Sequence, residues 1–291
     1  MWQPVLVPLD GSPEAEQALP YAEALAAPGC QLILLEVGED PDDEFALLER
    51  HADSCAHLET ASGDPAEQIL RVVRDLGVGM IVMTTHGRGA LGRLAFGSVA
   101  DAVTRHAPVP VMVVRPGEAP PQPVIRRLVV PLDGSPLSES ALPFARSLAQ
   151  RLEVPVRLIT AVDPVSLVPS AVAPALAFDA EIYDKTLATL RSEATSWLNE
   201  ASKKLRKAGI DASWEILSGS PYAAIIDSLQ PGDMVVMASH GRGGVRRMLL
   251  GSVAEKLIRE GKAPVILVPA GAPGERARTG GRTGAAASAG I

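Results

Sequence analysis

Aromatic side chains are scarce in this chain: Phe, Trp and Tyr together make up 3% of its 291 residues. That poverty argues against modules that stack bases on aromatic platforms. The core must instead be built from Val, Leu, Ile, Ala and Met. Cysteine is nearly absent too. Cys30 and Cys55 are the two present, with no CxxC, which argues against a disulfide framework and for a reducing, cytoplasmic setting. Positive charge is in deficit, 27 Lys and Arg against 34 Asp and Glu for a net of −7, so nucleic acid is not an expected partner. No apolar run approaches the ~18 residues of a membrane span. The N-terminus lacks the basic region and cleavage site of a signal peptide. No P-loop pattern G-x-x-x-x-G-K-[ST] and no G-x-S-x-G elbow occur.

What is present is a duplication. Residues 4–26, PVLVPLDGSPEAEQALPYAEALA, match residues 127–149, RLVVPLDGSPLSESALPFARSLA. Residues 83–100, MTTHGRGALGRLAFGSVA, match residues 237–254, MASHGRGGVRRMLLGSVA. The organisation expected is a first domain over 1–116, a stiff Pro-rich linker over 117–124, a second domain over 125–270, and a tail over 271–291. The tail, rich in Gly, Ala, Arg and Thr, is expected to be disordered. The second copy carries its extra chain between Val162 and Gly219, against Val37 to Gly63 in the first.

Each copy alternates strand and helix. Val5–Leu9 and Leu128–Leu132 are short apolar runs, as buried strands are. Ser12-Pro13 and Ser135-Pro136 then place a capping serine before a first-turn proline. Second strands are expected at Leu32–Val37 and Arg157–Val162. A long helix is expected from Asp179 to Ala208, with Tyr183, Leu187, Leu190, Ala194, Trp197, Ala201 and Leu205 on one stripe and Gly209 ending it. The first copy has room there only for a short helix near Glu44–His51. Third strands follow, then helices at Pro65–Leu76 and Pro221–Leu229. Buried strands at Met80–Thr84 and Met234–Ala238 lead into a glycine-rich loop, a helix and a last strand. Such alternation implies parallel sheets covered on both faces.

The loop after the fourth strand carries the chemistry. It reads His86-Gly87, nine residues, Gly97-Ser98 in the first copy, and His240-Gly241, nine residues, Gly251-Ser252 in the second. Glycine lets backbone N–H groups approach an anion closely. Gly97-Ser98 and Gly251-Ser252 stand where a helix begins, with its free amides and positive dipole end. Arg88, Arg93, Arg242, Arg246 and Arg247 add positive charge. A purely structural reading stands beside this one. Ser252-x-x-Glu255 is a capping box and Ser98-x-x-Asp101 nearly one, and the glycines can simply shape a turn. Gly87-Arg-Gly-Ala-Leu-Gly92 satisfies G-x-G-x-x-G but follows the wrong strand for a dinucleotide fingerprint. His51, Cys55 and His57 lack a fourth partner for a metal site. His86 and His240 have no nucleophile beside them, and fit a loop-shaping or ligand-contacting role. The segment Asp163–Phe178 reads as a lid, an interface or a packed connection.

Pro-Leu-Asp-Gly-Ser, the His-Gly-Arg-Gly loop, the nine-residue gap, Gly-Ser and the Pro-Val-x-Val ending together resemble the universal stress protein family in its tandem form. The resemblance implies two open, parallel five-stranded α/β sandwich domains, akin to the adenine-nucleotide α-hydrolase group. They would pack as an intramolecular pseudo-dimer through the last strands, Val109–Val114 and Val265–Val268. It also implies a stress-response regulator that binds ATP, with or without Mg²⁺, without strong catalysis. A scaffold that binds no nucleotide and a slow ATP hydrolase are the alternatives. Phosphates would lie on Gly87, Arg88, Gly97 and Ser98, and on Gly241, Arg242, Gly251 and Ser252. Adenosine would lie near Asp10 and Val37, and near Asp133 and Val162. The family's ATP binders carry Gly-x2-Gly-x9-Gly-Ser/Thr; here Thr84 and Ala238 replace the first glycine. The second copy is expected to hold the tighter site, and further self-association into a homo-dimer is expected.

Overall fold

A computed structural model describes residues 3–26, 30–38, 56–87, 96–117, 123–164, 180–239 and 250–270. The first half contributes β1 (Val5–Leu9), α1 (Pro13–Glu16), α2 (Leu19–Ala26), β2 (Leu32–Gly38), β3 (His57–Ser62), α3 (Pro65–Asp75), β4 (Met80–Thr84), α4 (Ser98–His106) and β5 (Val111–Val114). The second half contributes β6 (Arg127–Pro131), α5 (Pro136–Glu139), α6 (Leu142–Leu152), β7 (Val156–Val162), α7 (Ala180–Lys207), β8 (Ala212–Ser218), α8 (Pro221–Ser228), β9 (Asp233–Ala238), α9 (Ser252–Glu260) and β10 (Val265–Val268). The short helix expected near Glu44–His51, the core of the linker, most of the 163–178 segment and the 271–291 tail lie outside the described residues.

These strands form one ten-stranded sheet, ordered β3-β2-β1-β4-β5-β10-β9-β6-β7-β8. Each half is a parallel set of five. The halves join where β5 and β10 pair antiparallel, Val113 opposite Val265 and Val111 opposite Leu267. The order reads the same from either edge, so the carboxyl ends of the two parallel sets point in opposite directions. Alternate strand residues serve opposite faces. Val5, Val7 and Leu9 join Leu128, Val130 and Leu132 in one core. Leu6 and Val129 join the other, with residues of α3, α4, α8 and α9. Both cores run across the seam.

Local chemistry explains the helix ends. The Ser12 hydroxyl accepts the Ala15 amide at 3.1 Å, and the Ser135 hydroxyl accepts that of Ser138 at 3.1 Å. Pro13 and Pro136 follow in the first turn. Asp64 caps α3 by accepting the Glu67 amide at 2.9 Å. α7 stops at Gly209, whose φ of +81° lets the Ile210 amide reach back to the Leu205 carbonyl at 3.1 Å, a glycine-terminated helix end.

The stripe of α7 differs from the sequence expectation. Ala194, Leu198, Ala201, Ser202 and Leu205 are buried, whereas Tyr183, Leu187 and Leu190 are only partly covered. The reason is length. Arg191 donates to the Ser218 hydroxyl at the carboxyl end of β8 (2.7 Å). The Arg206 guanidinium meets the Ala212 carbonyl at the other end of that strand (2.8 Å). The turns of α7 before Arg191 therefore extend past the sheet.

Candidate functional site

In each half the strand order reverses direction at β1 or β6, which has the second strand on one side and the fourth on the other. Open α/β sheets bind ligands beyond the carboxyl ends at such a point. In the first half, Asp10 leaves β1 there and the Thr85-His86-Gly87 stretch leaves β4 beside it.

Asp10 is held by its own turn. Its Oδ1 accepts the Ser12 amide at 3.0 Å and the Ser12 hydroxyl at 2.5 Å. Gly11 between them has a φ of +74°, the left-handed geometry that glycine adopts without strain. Its other carboxylate oxygen lies against the glycine loop. A Cβ built on Gly87 would stand 2.0 Å from Asp10 Oδ2. A side chain at 87 would have to displace the Asp10 carboxylate, which fills the space its Cβ would take. Asp133 repeats the turn, its Oδ1 accepting the Ser135 amide at 2.9 Å and hydroxyl at 2.6 Å.

The neck of each loop is closed by the same bond. The Gly97 amide donates to the Thr85 carbonyl at 2.8 Å, and the Gly251 amide to the Ser239 carbonyl at 3.2 Å. A Cβ on Gly97 would meet that Thr85 oxygen at 3.1 Å, so small size matters here as well. Two side chains tie the first loop further. The Thr84 hydroxyl donates to the His86 carbonyl at 3.0 Å, and the Thr85 hydroxyl meets His86 Nδ1 at 2.9 Å.

The helix starts settle the capping question. Gly97 and Gly251 are the extended cap residues, with φ/ψ of −63°/150° and −60°/143°. Ser98 and Ser252 are the first helical residues and both are exposed. The acids expected to complete a capping box turn the other way. Asp101 accepts Arg105 Nε at 2.9 and 2.8 Å, and Glu255 accepts Arg259 Nε at 3.0 Å. The opening amides of α4 and α9 have no acceptor within their helices, and each helix presents its positive dipole end beside an exposed serine.

The remaining expected residues divide. Val37 lies in β2 opposite Ala61 of β3. Val162 ends β7 and its carbonyl accepts the Gly219 amide at 3.2 Å. Arg88, Arg93, His240, Gly241, Arg242, Arg246 and Arg247 lie outside the described residues. So do His51 and Cys55, while His57 sits in an edge strand with Nε2 2.6 Å from Glu59 Oε1. Among the described residues no group of three or more His, Cys, Asp or Glu is placed to hold a metal ion. No described helix is long and apolar enough to cross a membrane.

One pair at the site escaped the sequence reading. The Arg259 guanidinium of the second half lies over the ring of Phe96, 5.9 Å from its centre, immediately before Gly97. The i,i+4 spacing of Asp101–Arg105 and Glu255–Arg259 signals the two ion pairs, but nothing in the sequence brings residues 96 and 259 together.

The profile of the universal stress protein family matches residues 1–54, 43–115 and 125–269. The chain belongs to the universal stress protein family. A universal stress protein of Mycobacterium tuberculosis is 32% identical over 189 residues, covering 65% of this chain and 61% of that protein. The chain therefore spans less than two thirds of that relative's length. One from Methanocaldococcus jannaschii is 30% identical over 159 residues, covering 54% of this chain and 86% of its own. The crystal structure of a universal stress protein from Archaeoglobus fulgidus superposes with a TM-score of 0.65 at 20% identity, over 92% of this chain and 98% of that one. The fold is thus that of the family along nearly the whole chain.

Proposed function

We propose that this universal stress protein binds an adenine nucleotide, ATP with or without Mg²⁺, at the carboxyl edge of each parallel set, and works as a stress-response regulator rather than as a strong catalyst. The phosphates rest on Gly87, Gly97 and Ser98 in the first half, with Arg88 supplying charge. In the second half the matching group is Gly241, Arg242, Gly251 and Ser252. Adenosine lies toward Asp10 and Val37, and toward Asp133 and Val162. Two domains, 1–116 and 125–270, each carry one site, and the second is the tighter. The protein works in the cytoplasm, and further pairing into a homo-dimer belongs to the same reading.

The observation that carries this reading is the fit between Asp10 and Gly87. A carboxylate oxygen occupies the space of the absent Cβ, at the point where the strand order reverses and beside a glycine-capped helix start. A capping box would have made the glycine–serine motif structural, and Asp101 and Glu255 instead pair with arginines. A second reading, a scaffold that binds no nucleotide, draws on Thr84, whose hydroxyl already ties the loop where the family's ATP binders have glycine.

Calorimetric titration of the nucleotide-stripped protein with Mg-ATP separates the two. Ser98→Glu and Ser252→Glu are the informative variants. A glutamate in the first turn suits a helix N-terminus, so folding is retained while a negative charge stands where phosphate would bind. Two equivalents in the wild type, each removed by one variant, support the proposal. Wild-type protein that is folded and takes up no Mg-ATP overturns it.

A further inference from the structure

α4 and α9 each begin at a glycine loop, and they meet across the seam. Because β5 and β10 run antiparallel, the two helices do as well, so the end of one lies at the start of the other. Arg259, in the last turn of α9, reaches Phe96 at the start of α4 (5.9 Å to the ring centre). Glu255 holds it there through a 3.0 Å bond to Nε. At the other end, Glu255 adds its charge to that of Asp101 around Arg105. The cores beneath are continuous: Val103 and Ala107 share a cluster with Leu250, Ala254, Leu257 and Ile258, and Phe96 packs on its margin.

The contact runs in one direction only. Seven residues after Ser98 stands Arg105, matching Arg259 after Ser252, but the partner of Phe96 in the second half is Leu250. Leucine is 7% exposed there and offers no ring face to a guanidinium. In a chain with only four phenylalanines, one is placed against the residue that opens the first candidate phosphate site.

We infer that Arg259 is a positioning residue for the first-half site, supplied across the seam by the second half: through Phe96 it fixes the entry of the chain into Gly97-Ser98, while the second-half site receives no equivalent support. The inference rests on the proposed nucleotide site for its consequence in binding, and on the Arg259–Phe96 pair alone for its consequence in loop order.

Two measurements on the full chain test it. The first needs no ligand. Hydrogen exchange compares Arg259→Gln with the wild type at residues 96–100 and at the matching residues 250–254. Faster exchange confined to 96–100, restored by Arg259→Lys, supports the inference. Unchanged exchange at 96–100, or an equal rise in both segments, overturns it. The second is Mg-ATP titration with one site silenced. With Ser252→Glu in place, Arg259→Gln is expected to weaken the first-half site about two- to five-fold, the range of one exposed cation–π contact. With Ser98→Glu in place, the same change leaves the second-half site unaltered. Phe96→Leu reproduces the loss, and combining it with Arg259→Gln adds nothing further, as residues acting through one contact require. Additive losses, or a loss at both sites, sink the route through Phe96. If the wild type binds no Mg-ATP, the nucleotide proposal fails, and the exchange measurement still decides whether Arg259 orders the loop.

Discussion

The two halves keep the same skeleton and differ at its rim. Asp10 and Asp133 make the same turn with Ser12 and Ser135. Gly97 and Gly251 close their loops with the same backbone bond. Around these fixed points the side chains diverge. Thr84, whose hydroxyl ties the first loop, is matched by Ala238. Phe96 is matched by Leu250. Ala66 and His106 stand where the second half has Tyr222 and Glu260, joined at 2.6 Å. Backbone hydrogen bonds define what the fold needs, since a buried amide or carbonyl without a partner is costly in either copy. Side chains at the loop rim carry no such obligation, and there the halves are free to take different tasks.

The strongest way to break the comparison is to break what the halves share. Met112 of β5 is fully buried and pairs with Ile266 of β10. Met112→Ala should cost about 2–5 kcal/mol, the range for a large-to-small core change. Trp197 and Trp214 both lie in the second half, packed on the core below α7 and β8. With Trp2, the third tryptophan and the one in the first half, replaced by Phe, urea unfolding followed by the fluorescence of the other two should nevertheless show the loss, although Met112→Ala is in the first half. A tryptophan transition that does not move would show that the halves unfold independently.

Gly87→Ala addresses the first-half site alone. The new Cβ would meet Asp10 Oδ2 at 2.0 Å, and the carboxylate cannot swing away without losing its two bonds from Ser12. The cost should be about 1–3 kcal/mol, as for overpacking elsewhere. Mg-ATP titration should show the first-half site weakened by about tenfold or more, equivalent to some 1.4 kcal/mol, with the second-half site kept. Adding Asp10→Ala should recover part of the thermal stability and none of the binding.

These tests also mark what the sequence made legible. The repeat placed every strand in order, because short apolar runs punctuated by Ser-Pro and glycine have few alternatives. The seam came from family resemblance, since nothing within Val265–Val268 says which strand it will face. The capping box, the alternative role for the two serines, is one residue off, because Gly97 and Gly251 are the caps. Ser-x-x-Glu fits a capping box, but an arginine four residues after the acid competes for the same carboxylate, and Arg105 and Arg259 both win. The Arg259–Phe96 pair was illegible because it joins distant parts of the chain through the antiparallel seam. The amino-terminal stripe of α7 misled for a different reason: periodicity gives the apolar face of a helix and not how far the sheet extends beneath it.

Tyr222 offers a pH test of the same divergence. Its hydroxyl donates to Glu260, and that bond, with burial and the nearby carboxylate charge, pushes its pKa to about 12. A phenol whose pKa is raised on folding holds its proton in the native state after the unfolded chain has lost it. Its stabilisation is therefore complete below about pH 10, the unfolded value, and is lost as pH rises toward 12. Tyr222→Phe should flatten that alkaline fall in thermal stability. Absorbance titration should show a late tyrosinate that Tyr222→Phe removes, apart from Tyr21, whose phenol is also raised, by burial. Ala66 and His106 offer no phenol at the matching place, so the part of the alkaline fall that Tyr222→Phe removes belongs to the second half alone.

The smallest effect expected is the most specific to the loops. Thr84→Ala gives the first half the side chain that the second carries at Ala238. It removes the hydroxyl bond to the His86 carbonyl, with an expected cost of about 0.5–1.5 kcal/mol. The bond lies at the last residue of β4, so global unfolding will register it weakly while local opening of His86 and Gly87 registers it fully. Hydrogen exchange at these two amides should quicken in Thr84→Ala and return in Thr84→Ser, which restores a donor without the methyl group. If the tether instead holds the loop away from a bound phosphate, Thr84→Ala should also tighten Mg-ATP at the first-half site toward the second. Faster exchange with unchanged affinity would assign Thr84 to loop order alone, and the difference in affinity between the halves would then have to arise elsewhere along the rim.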